Sequence, residues 1–288
     1  MKKVIIKLSQ YFLSDKIYLK LTFRYLMKEK LSITNPVSFN QKIQWLKLYD
    51  RKDKYTELAD KYLVKEWISK EIGDEYNIPT LGIWNSFDEI NFDKLPNEFV
   101  LKCTHDSGSV LIVKDKSKIN KQDAKLFFDS AMKKNYFYVG REWAYKNVVP
   151  RIIGEKYIED SNNELVDYKF NCFNGDVDSV MVCLDRKSGN PKFLFFDQNW
   201  KLKKYNESSL GLSDDFIIPK PKNIDKMFCI AQKLSQEIPF VRVDLYNVDG
   251  EIYFGEMTFY PHGGYDKNLL DSTEAEWGNK IKIKGELS

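Results

Sequence analysis

The chain has 288 residues with 45 Lys and Arg against 42 Asp and Glu, long enough to bury a sizeable core as one domain or as two or three associated lobes. A formal net charge of +3 is too small to imply a nucleic-acid partner, and no apolar run is long enough to span a bilayer. Only two histidines (His105, His262) and four scattered cysteines (Cys103, Cys172, Cys183, Cys229) are present, so a His-based zinc site or a Ser-His-Asp triad is poorly supplied. The cysteines, with no CxxC pair, fit small core positions in a reducing compartment.

Residues 1–30 carry eight Lys or Arg against two acids. Two readings stay open: a basic amphipathic helix resting on an anionic membrane surface, or a surface helix packing its apolar stripe on the body. The start lacks the apolar stretch and cleavage site of a secretory signal. The expectation is a cytoplasmic protein, with peripheral contact of residues 1–30 at the inner membrane face as the open alternative.

Residues 14–72 read as helical. Ser14-Asp15 can cap a helix running towards Lys30, Asn35-Pro36 marks a break, Ser38-Phe39-Asn40 introduces a helix over Gln41 to Leu48, and a third runs from Tyr55 to Ile72. From Asn77-Ile78-Pro79 onwards short strands alternate with turns and helices. Phe99 to Lys102 and Val110 to Val113 read as a hairpin whose tip, Thr104-His105-Asp106-Ser107-Gly108-Ser109, is unusually polar. Lys121 to Lys134 is a helix, and Arg151 to Ile158 is expected to enter a second sheet with Leu165–Phe173, Ser179–Leu184 and Lys192–Phe196. Ile224 to Glu237 is helical, and a last hairpin follows. The pattern predicts an α+β fold: a helical N-terminal region over 1–77, one lobe over 78–153, and a second over 154–288 ending in a tail.

Three segments carry chemistry. In the last hairpin, period-two alternation puts Val241, Val243 and Leu245 on one face and Phe240, Arg242, Asp244 and Tyr246 on the other. Asp244 and Glu256 are twelve positions apart, so they share a face only across an odd-residue loop. A two-residue Asp249-Gly250 turn would pair Val248 with Glu251 and separate the carboxylates. An odd loop centred on Gly250 pairs Asp244 with Glu256 and Arg242 with Thr258. Such a patch is costly to bury without a ligand, and carboxylates completed by nucleotide phosphates are what Mg²⁺ takes. A solvated sheet face with a cross-strand ion pair fits the spacing as well. Lys102, beside Ser107-Gly108-Ser109, can hold a phosphate through its ammonium and successive backbone N–H groups. An extended segment at Gly154 to Glu159 can offer backbone groups to an adenine edge. Neither a Walker A loop nor GxGxxG is present.

The order of these elements resembles the ATP-grasp superfamily, in which two α+β lobes hold ATP between them. Within it the chain is similar to the TupA-like (teichuronopeptide-type) family from about Ile17 to Gly264. The resemblance is carried by the sixteen-residue stretch Asn35-Pro36-Val37-Ser38-Phe39-Asn40-Gln41-Lys42-Ile43-Gln44-Trp45-Leu46-Lys47-Leu48-Tyr49-Asp50. Ala59 to Tyr62, Leu95 to Lys102, Asp167 to Phe170 and the last hairpin extend it. The resemblance implies an ATP-grasp fold preceded by a short helical region, with ATP and Mg²⁺ as cofactors. It implies that Lys102 binds the ATP phosphates, His105 and Ser107 to Ser109 lie over them, and Glu155, Lys156, Tyr157 and Ile158 hold adenine. Asp244 and Glu256 would ligate Mg²⁺. Thr258 stands where many such enzymes place an asparagine ligand. Arg242 would stabilise the transferring phosphoryl group, with Lys169 and Arg186 as further phosphate or acceptor contacts.

The implied reaction is amide formation through an acyl phosphate, joining an amino acid or other amine to a uronic acid of a capsular or other cell-surface glycan or its sugar nucleotide. Loss of Arg242 is expected to slow chemistry with little loss of folding. A glycosyltransferase, resting on the Asp176-Val177-Asp178 triplet beyond Asn174-Gly175, and a glycan kinase on the same scaffold remain the alternatives.

Overall fold

The structure, a computed structural model, describes residues 12–161, 165–184, 192–213 and 215–283. Residues 1–11 of the basic N-terminal segment, and the candidate Arg186, lie outside the described residues. The chain divides into two compact units. One comprises residues up to Arg51 together with those from Leu165 on, the other Lys52–Glu164. The helical region expected over 1–77 is therefore split between the two units rather than forming a region of its own. Among the described residues no helix is long and apolar enough to cross a membrane.

The helices begin as the caps suggest. Helix α1 spans Asp15–Met27, and α2 spans Phe39–Tyr49, with the Ser38 side chain accepting from Gln41 N. The single helix expected from Tyr55 to Ile72 is two, α3 (Lys54–Ala59) and α4 (Leu63–Glu71). Asp60 makes the break. Its carboxylate accepts from the Tyr62 and Leu63 N–H groups at 2.8 and 3.3 Å and from Arg151 Nη2 at 2.7 Å, recapping the chain for α4.

In the Lys52–Glu164 unit, β1 (Thr80–Trp84), β2 (Phe99–Cys103), β3 (Val110–Val113) and β4 (Ile152–Lys156) form an antiparallel sheet in the order β1-β4-β2-β3. Helix α5 (Lys121–Met132), capped by Asn120, packs Ala124, Phe128 and Ala131 onto it beside Phe87, Phe99 and Leu101. The short helix α6 spans Phe137–Gly140. The expectation that the strand around Glu155 enters the second sheet is corrected: β4 pairs with β1 on one side and β2 on the other. Its IIGEK run is buried at every position but the last, as a central strand requires.

The other unit is a six-stranded antiparallel sheet in the order β10-β9-β5-β6-β7-β8. Its strands are β5 (Asp167–Phe173), β6 (Asp176–Leu184), β7 (Lys192–Phe196), β8 (Leu202–Lys203), β9 (Val241–Val248) and β10 (Glu251–Thr258). The short helix α7 spans Glu207–Leu210. Helix α8 (Ile224–Leu234) lays Ile224, Met227, Phe228, Ala231 and Leu234 into the core. The expected C-terminal tail contains a helix, α9 (Asp271–Lys280). Trp277 packs on Phe39 and Phe173 with ring centroids 5.2 and 5.7 Å away, and the adjoining Gly278 presses directly on the chain before α2. A Cβ at Gly278 would sit 2.1 Å from Val37 O and 3.0 Å from the Ser38 carbonyl carbon. Because both obstacles are backbone, Gly278→Ala is expected to cost about 3 kcal/mol or more, read as a lower urea midpoint.

The same contact holds Glu274, whose carboxylate accepts from Asn40 N at 3.1 Å and Asn40 Nδ2 at 2.6 Å. Burial pushes its pKa up to about 7, against the pull of the Asn40 and Ser38 hydrogen bonds. A folded value above the unfolded one of about 4.3 means that the stability it contributes is full below the latter and is lost as pH rises through the former. Urea unfolding of the native chain is thus expected to show about 2–3 kcal/mol less stability from this group at pH 8 than at pH 4, a component absent in Glu274→Gln.

Candidate active site

In the Lys52–Glu164 unit, alternation along β2 sends Phe99, Leu101 and Cys103 into the core and leaves Val100 and Lys102 on the opposite face. Glu155 of β4 lies directly opposite Val100, which makes it the diagonal neighbour of Lys102. The two side chains meet at 2.6 Å (Nζ to Oε2), while Lys65 of α4 reaches the other oxygen at 2.7 Å and also donates to Ile78 O at 2.6 Å. Burial alone would push the Glu155 carboxyl up, but the two ammonium groups outweigh it and hold it below its usual range. Burial also draws the Lys65 pKa down despite Glu155. Two half-buried cations thus share one carboxylate, leaving a net positive charge for an anion. Lys65 had no sequence signal beyond a helical position.

The loop after β2 places Ser107 and Gly108 in solvent, with Gly108 at φ +103° and open space around it. Ser109 Oγ donates to the Asp106 carboxylate, and Lys61 Nζ to the Asp106 carbonyl. His105 does not join them. It is 2% exposed, with Nε2 3.3 and 3.1 Å from Ala131 O and Lys134 O. Glu155 is likewise not a free backbone edge, since β4 is paired on both sides; its side chain is the part that reaches Lys102. Lys156, Tyr157 and Ile158 stand at and beyond the end of the strand. The Tyr157 hydroxyl donates to Glu159 at 2.6 Å, and Lys114 Nζ lies 4.9 Å from the ring centroid.

The last hairpin combines two arrangements that the sequence set against each other. Asp249 (φ 54°) and Gly250 (φ 106°) form a two-residue turn with Val248 opposite Glu251, as in the type I′ geometry such pairs favour. Yet Asp244 still pairs with Glu256 and Arg242 with Thr258, because the register shifts between Phe254 and Glu256. The odd residue is Gly255, a β-bulge in β10, and not a member of the turn. A Cβ there would lie 2.9 Å from Asp244 O and 3.2 Å from Tyr246 Cε2, so the strand accepts only glycine without moving Asp244. Gly255→Ala is expected to cost about 1–3 kcal/mol and to lower turnover by displacing Asp244.

Around this register the expected residues converge. Arg242 holds the buried Asp244 in a two-pronged pair, Nε to Oδ1 and Nη2 to Oδ2, both at 2.7 Å. Lys169, opposite Asp244 on β5, adds a 2.5 Å contact to Oδ2 and lies 3.5 Å from Asp167. The Thr258 hydroxyl accepts from Arg242 Nη2 at 3.2 Å and donates to Glu256 Oε1 at 3.1 Å. Burial opposes both charges of the central pair. Arg242 and Lys169 nevertheless hold the Asp244 carboxyl low, and Asp244 keeps the guanidinium firmly protonated. Against the expectation of little loss of folding, removing Arg242 would leave the buried Asp244 carboxylate without its two-pronged partner.

The donor set fits Mg²⁺. Glu256, with 39% of its side chain exposed, has oxygen lone pairs to give, and a carboxylate offers about four acceptor positions, of which Asp244 uses three on Arg242 and Lys169. No group of three or more His, Cys, Asp or Glu able to hold a metal alone occurs among the described residues, so phosphate and water oxygens would complete an octahedron. The Asp176-Val177-Asp178 triplet does not offer a second metal site: Asp178 accepts from Trp277 Nε1 at 3.1 Å, Tyr205 Oη at 3.3 Å and Lys280 Nζ. Cys103 and Cys172 are buried, with thiols pushed up to about 12.

The profile of the TupA-like ATPgrasp family matches residues 41–282. No match was found among curated proteins. Among solved structures the chain is similar to D-alanine–D-alanine ligase from Bacillus anthracis (19% identity, 77% of this chain and 63% of that one, TM-score 0.42). It is also similar to D-alanine–D-alanine ligase from Helicobacter pylori (18%, 85% and 69%, 0.42) and to phosphoribosylamine–glycine ligase from Thermotoga maritima (13%, 71% and 48%, 0.41). The chain thus spans less than two thirds of the first of these enzymes. With a profile match over most of its length, the chain belongs to the TupA-like ATP-grasp family.

Proposed function

We propose that the chain is an ATP-dependent carboxylate–amine ligase of the cytoplasm that joins an amino acid or small amine to a uronic-acid carboxylate of a capsular or other cell-surface glycan, or of its sugar nucleotide. The observation that carries the reading is the sheet face on which the Gly255 bulge brings Glu256 opposite Asp244, beside Arg242 and Lys169 of the neighbouring strand. The glycan rests on the resemblance of TupA-like proteins to enzymes of polysaccharide gene clusters.

A substrate carboxylate oxygen attacks the γ-phosphorus of ATP, the bond to the β-phosphate oxygen breaks, and ADP leaves. The amine then attacks the acyl carbon, the C–N bond forms, and the C–O bond to phosphate breaks. Arg242 meets the charge on the transferring phosphoryl group and then on the tetrahedral intermediate, where preplaced cations matter most. Lys102, kept in place by Glu155 beside Lys65, binds phosphate oxygens under the Ser107–Ser109 loop, and the segment from Lys156 to Ile158 meets adenine. Asp244 and Glu256 would hold Mg²⁺, which neutralises phosphate oxygens when bound.

An ADP-release assay over a panel of uronic acids and amines tests this. The expected result is ADP, free phosphate and amide in equal amounts, with turnover lost when Mg²⁺ is withheld. A phosphorylated glycan would make the protein a kinase, and thermal protection by a sugar nucleotide but not ATP a glycosyltransferase.

A further inference from the structure

After β10 the chain turns sharply at Pro261–Gly264, with His262 (φ 51°, ψ 22°) and Gly263 (φ 62°, ψ 19°) both left-handed. A non-glycine residue there is strained and persists only where its surroundings impose it. Helix α2 imposes it. Gln44 Nε2 donates to Gly263 O and Gly264 O at 3.0 and 2.7 Å, and Lys47 Nζ donates to Gly263 O at 2.6 Å. Asn40 Nδ2 donates to Asp266 O at 2.8 Å, and Asn40 Oδ1 accepts from Asp266 N at 3.0 Å. Asn40, Gln44 and Lys47 are all fully buried and share one helical face. That polar face holds residues 263–266.

The consequence is where His262 and Asp266 end up. Both line a small cavity that also contains Arg242 and Asn171 and is walled by Phe195 and Trp277. The imidazole is 54% exposed, and its Nε2 lies 3.7 Å from Asp266 Oδ2, in ion-pair range. His105, by contrast, is buried in the other unit.

We propose that His262 is the general base that accepts the proton of the attacking amine, with Asp266 as the positioning residue that turns the ring and balances the imidazolium. This rests on the ligase reading above. An amine arrives as an ammonium ion, and its lone pair cannot attack until a proton leaves. One ammonium proton passes to the ring nitrogen turned away from Asp266, the freed pair forms the C–N bond, and phosphate departs with the electrons of the C–O bond. The second proton of the bonded nitrogen goes to the departing phosphate, leaving the amide N–H. Asp266 on its own turn faces the ring, and Arg242 from β9 lines the same cavity. Lys47 from α2 is bonded to the adjoining Gly263 carbonyl, and Glu274 from α9 is bonded to Asn40, which holds Asp266.

The test compares wild type with His262→Asn, a residue that tolerates the left-handed region, using ADP release with hexuronates and either hydroxylamine, uncharged at neutral pH, or α-amino acids. For the base role, the variant is expected to be slowed about 100-fold or more with amino acids at neutral pH, to recover as pH approaches that of the free amine, and to be far less affected with hydroxylamine. Asp266→Asn should show the same pattern more weakly, with an altered pH profile. Equal rates with amino acids, or equal losses with both nucleophiles in a variant that melts like wild type, would overturn it. If wild type itself releases no ADP with any pair, the ligase reading fails and takes the base with it.

Discussion

Arg242→Ala is expected to lower ADP release about 10³-fold and also to lower stability by about 3 kcal/mol. The first effect follows from position. In the proposed reaction the guanidinium is the group on the hairpin face placed to meet charge on the phosphoryl group and then on the tetrahedral centre. Lys169, engaged with Asp244 and Asp167, offers only a point charge in its place. The second follows from Asp244, 2% exposed, which would keep only Lys169. The two effects separate in the double variant Arg242→Ala/Asp244→Asn, where no buried carboxylate is left short of a partner. Its urea midpoint should recover towards wild type while turnover stays lost. Wild-type turnover in a folded Arg242→Ala protein would remove Arg242 from the chemistry. A double variant no more stable than the single one would remove the buried pair from the stability argument. Glu256→Ala offers the converse: more exposed and held only by Thr258 and a 3.6 Å contact to Arg242, it should cost less than about 1 kcal/mol yet abolish the response to Mg²⁺.

Much of this face was legible because alternation in a strand is strict. Parity alone puts Arg242 with Asp244 and Glu256 with Thr258, and bringing the two pairs onto one face demands one odd residue. It could not say where that residue sits. A glycine in the turn and a glycine in the return strand satisfy the same count, and the Asp249-Gly250 pair favours the tight turn that the hairpin in fact adopts. The bulge at Gly255 is decided by close approach to the Asp244 carbonyl, a tertiary fact. β4 illustrates the same limit. Its residues read as a strand, but which sheet a strand joins depends on long-range pairing. The sequence therefore offered Glu155 as a backbone edge, whereas its side chain is what joins Lys102 to Lys65. The stretch Asn35–Asp50 was recognisable as distinctive without a physical reason. The reason is that its polar positions Asn40, Gln44 and Lys47 face a turn more than 200 residues away.

Glu155→Ala is expected to be the costliest change in the Lys52–Glu164 unit, at about 3–5 kcal/mol. Lys65 and Lys102, each with only 14% of the side chain exposed, would face each other without a counter-charge. Lys65, whose pKa burial already lowers, would release its proton before the pair became tolerable. Lys102→Ala should be mild by comparison, about 1 kcal/mol, because Glu155 keeps Lys65 and the pair becomes one-to-one. The ranking reverses for nucleotide. Lys102→Ala should largely lose the thermal shift that ATP produces in wild type, since the remaining Lys65–Glu155 pair is neutral and Lys65 is also tied to the Ile78 carbonyl. The pH dependence has a fixed sign. Glu155 has a folded pKa held below its unfolded one, so its contribution is present above the unfolded carboxylate value and is lost as pH falls through the folded one. Wild type and Glu155→Ala should converge in acid. Urea unfolding at neutral and acid pH, with ATP titrated against melting temperature at neutral pH, reads all of these. Equal stability of Glu155→Ala and wild type at neutral pH would mean that the carboxylate does not hold the two lysines together, and Lys102 would then have to be placed by something else.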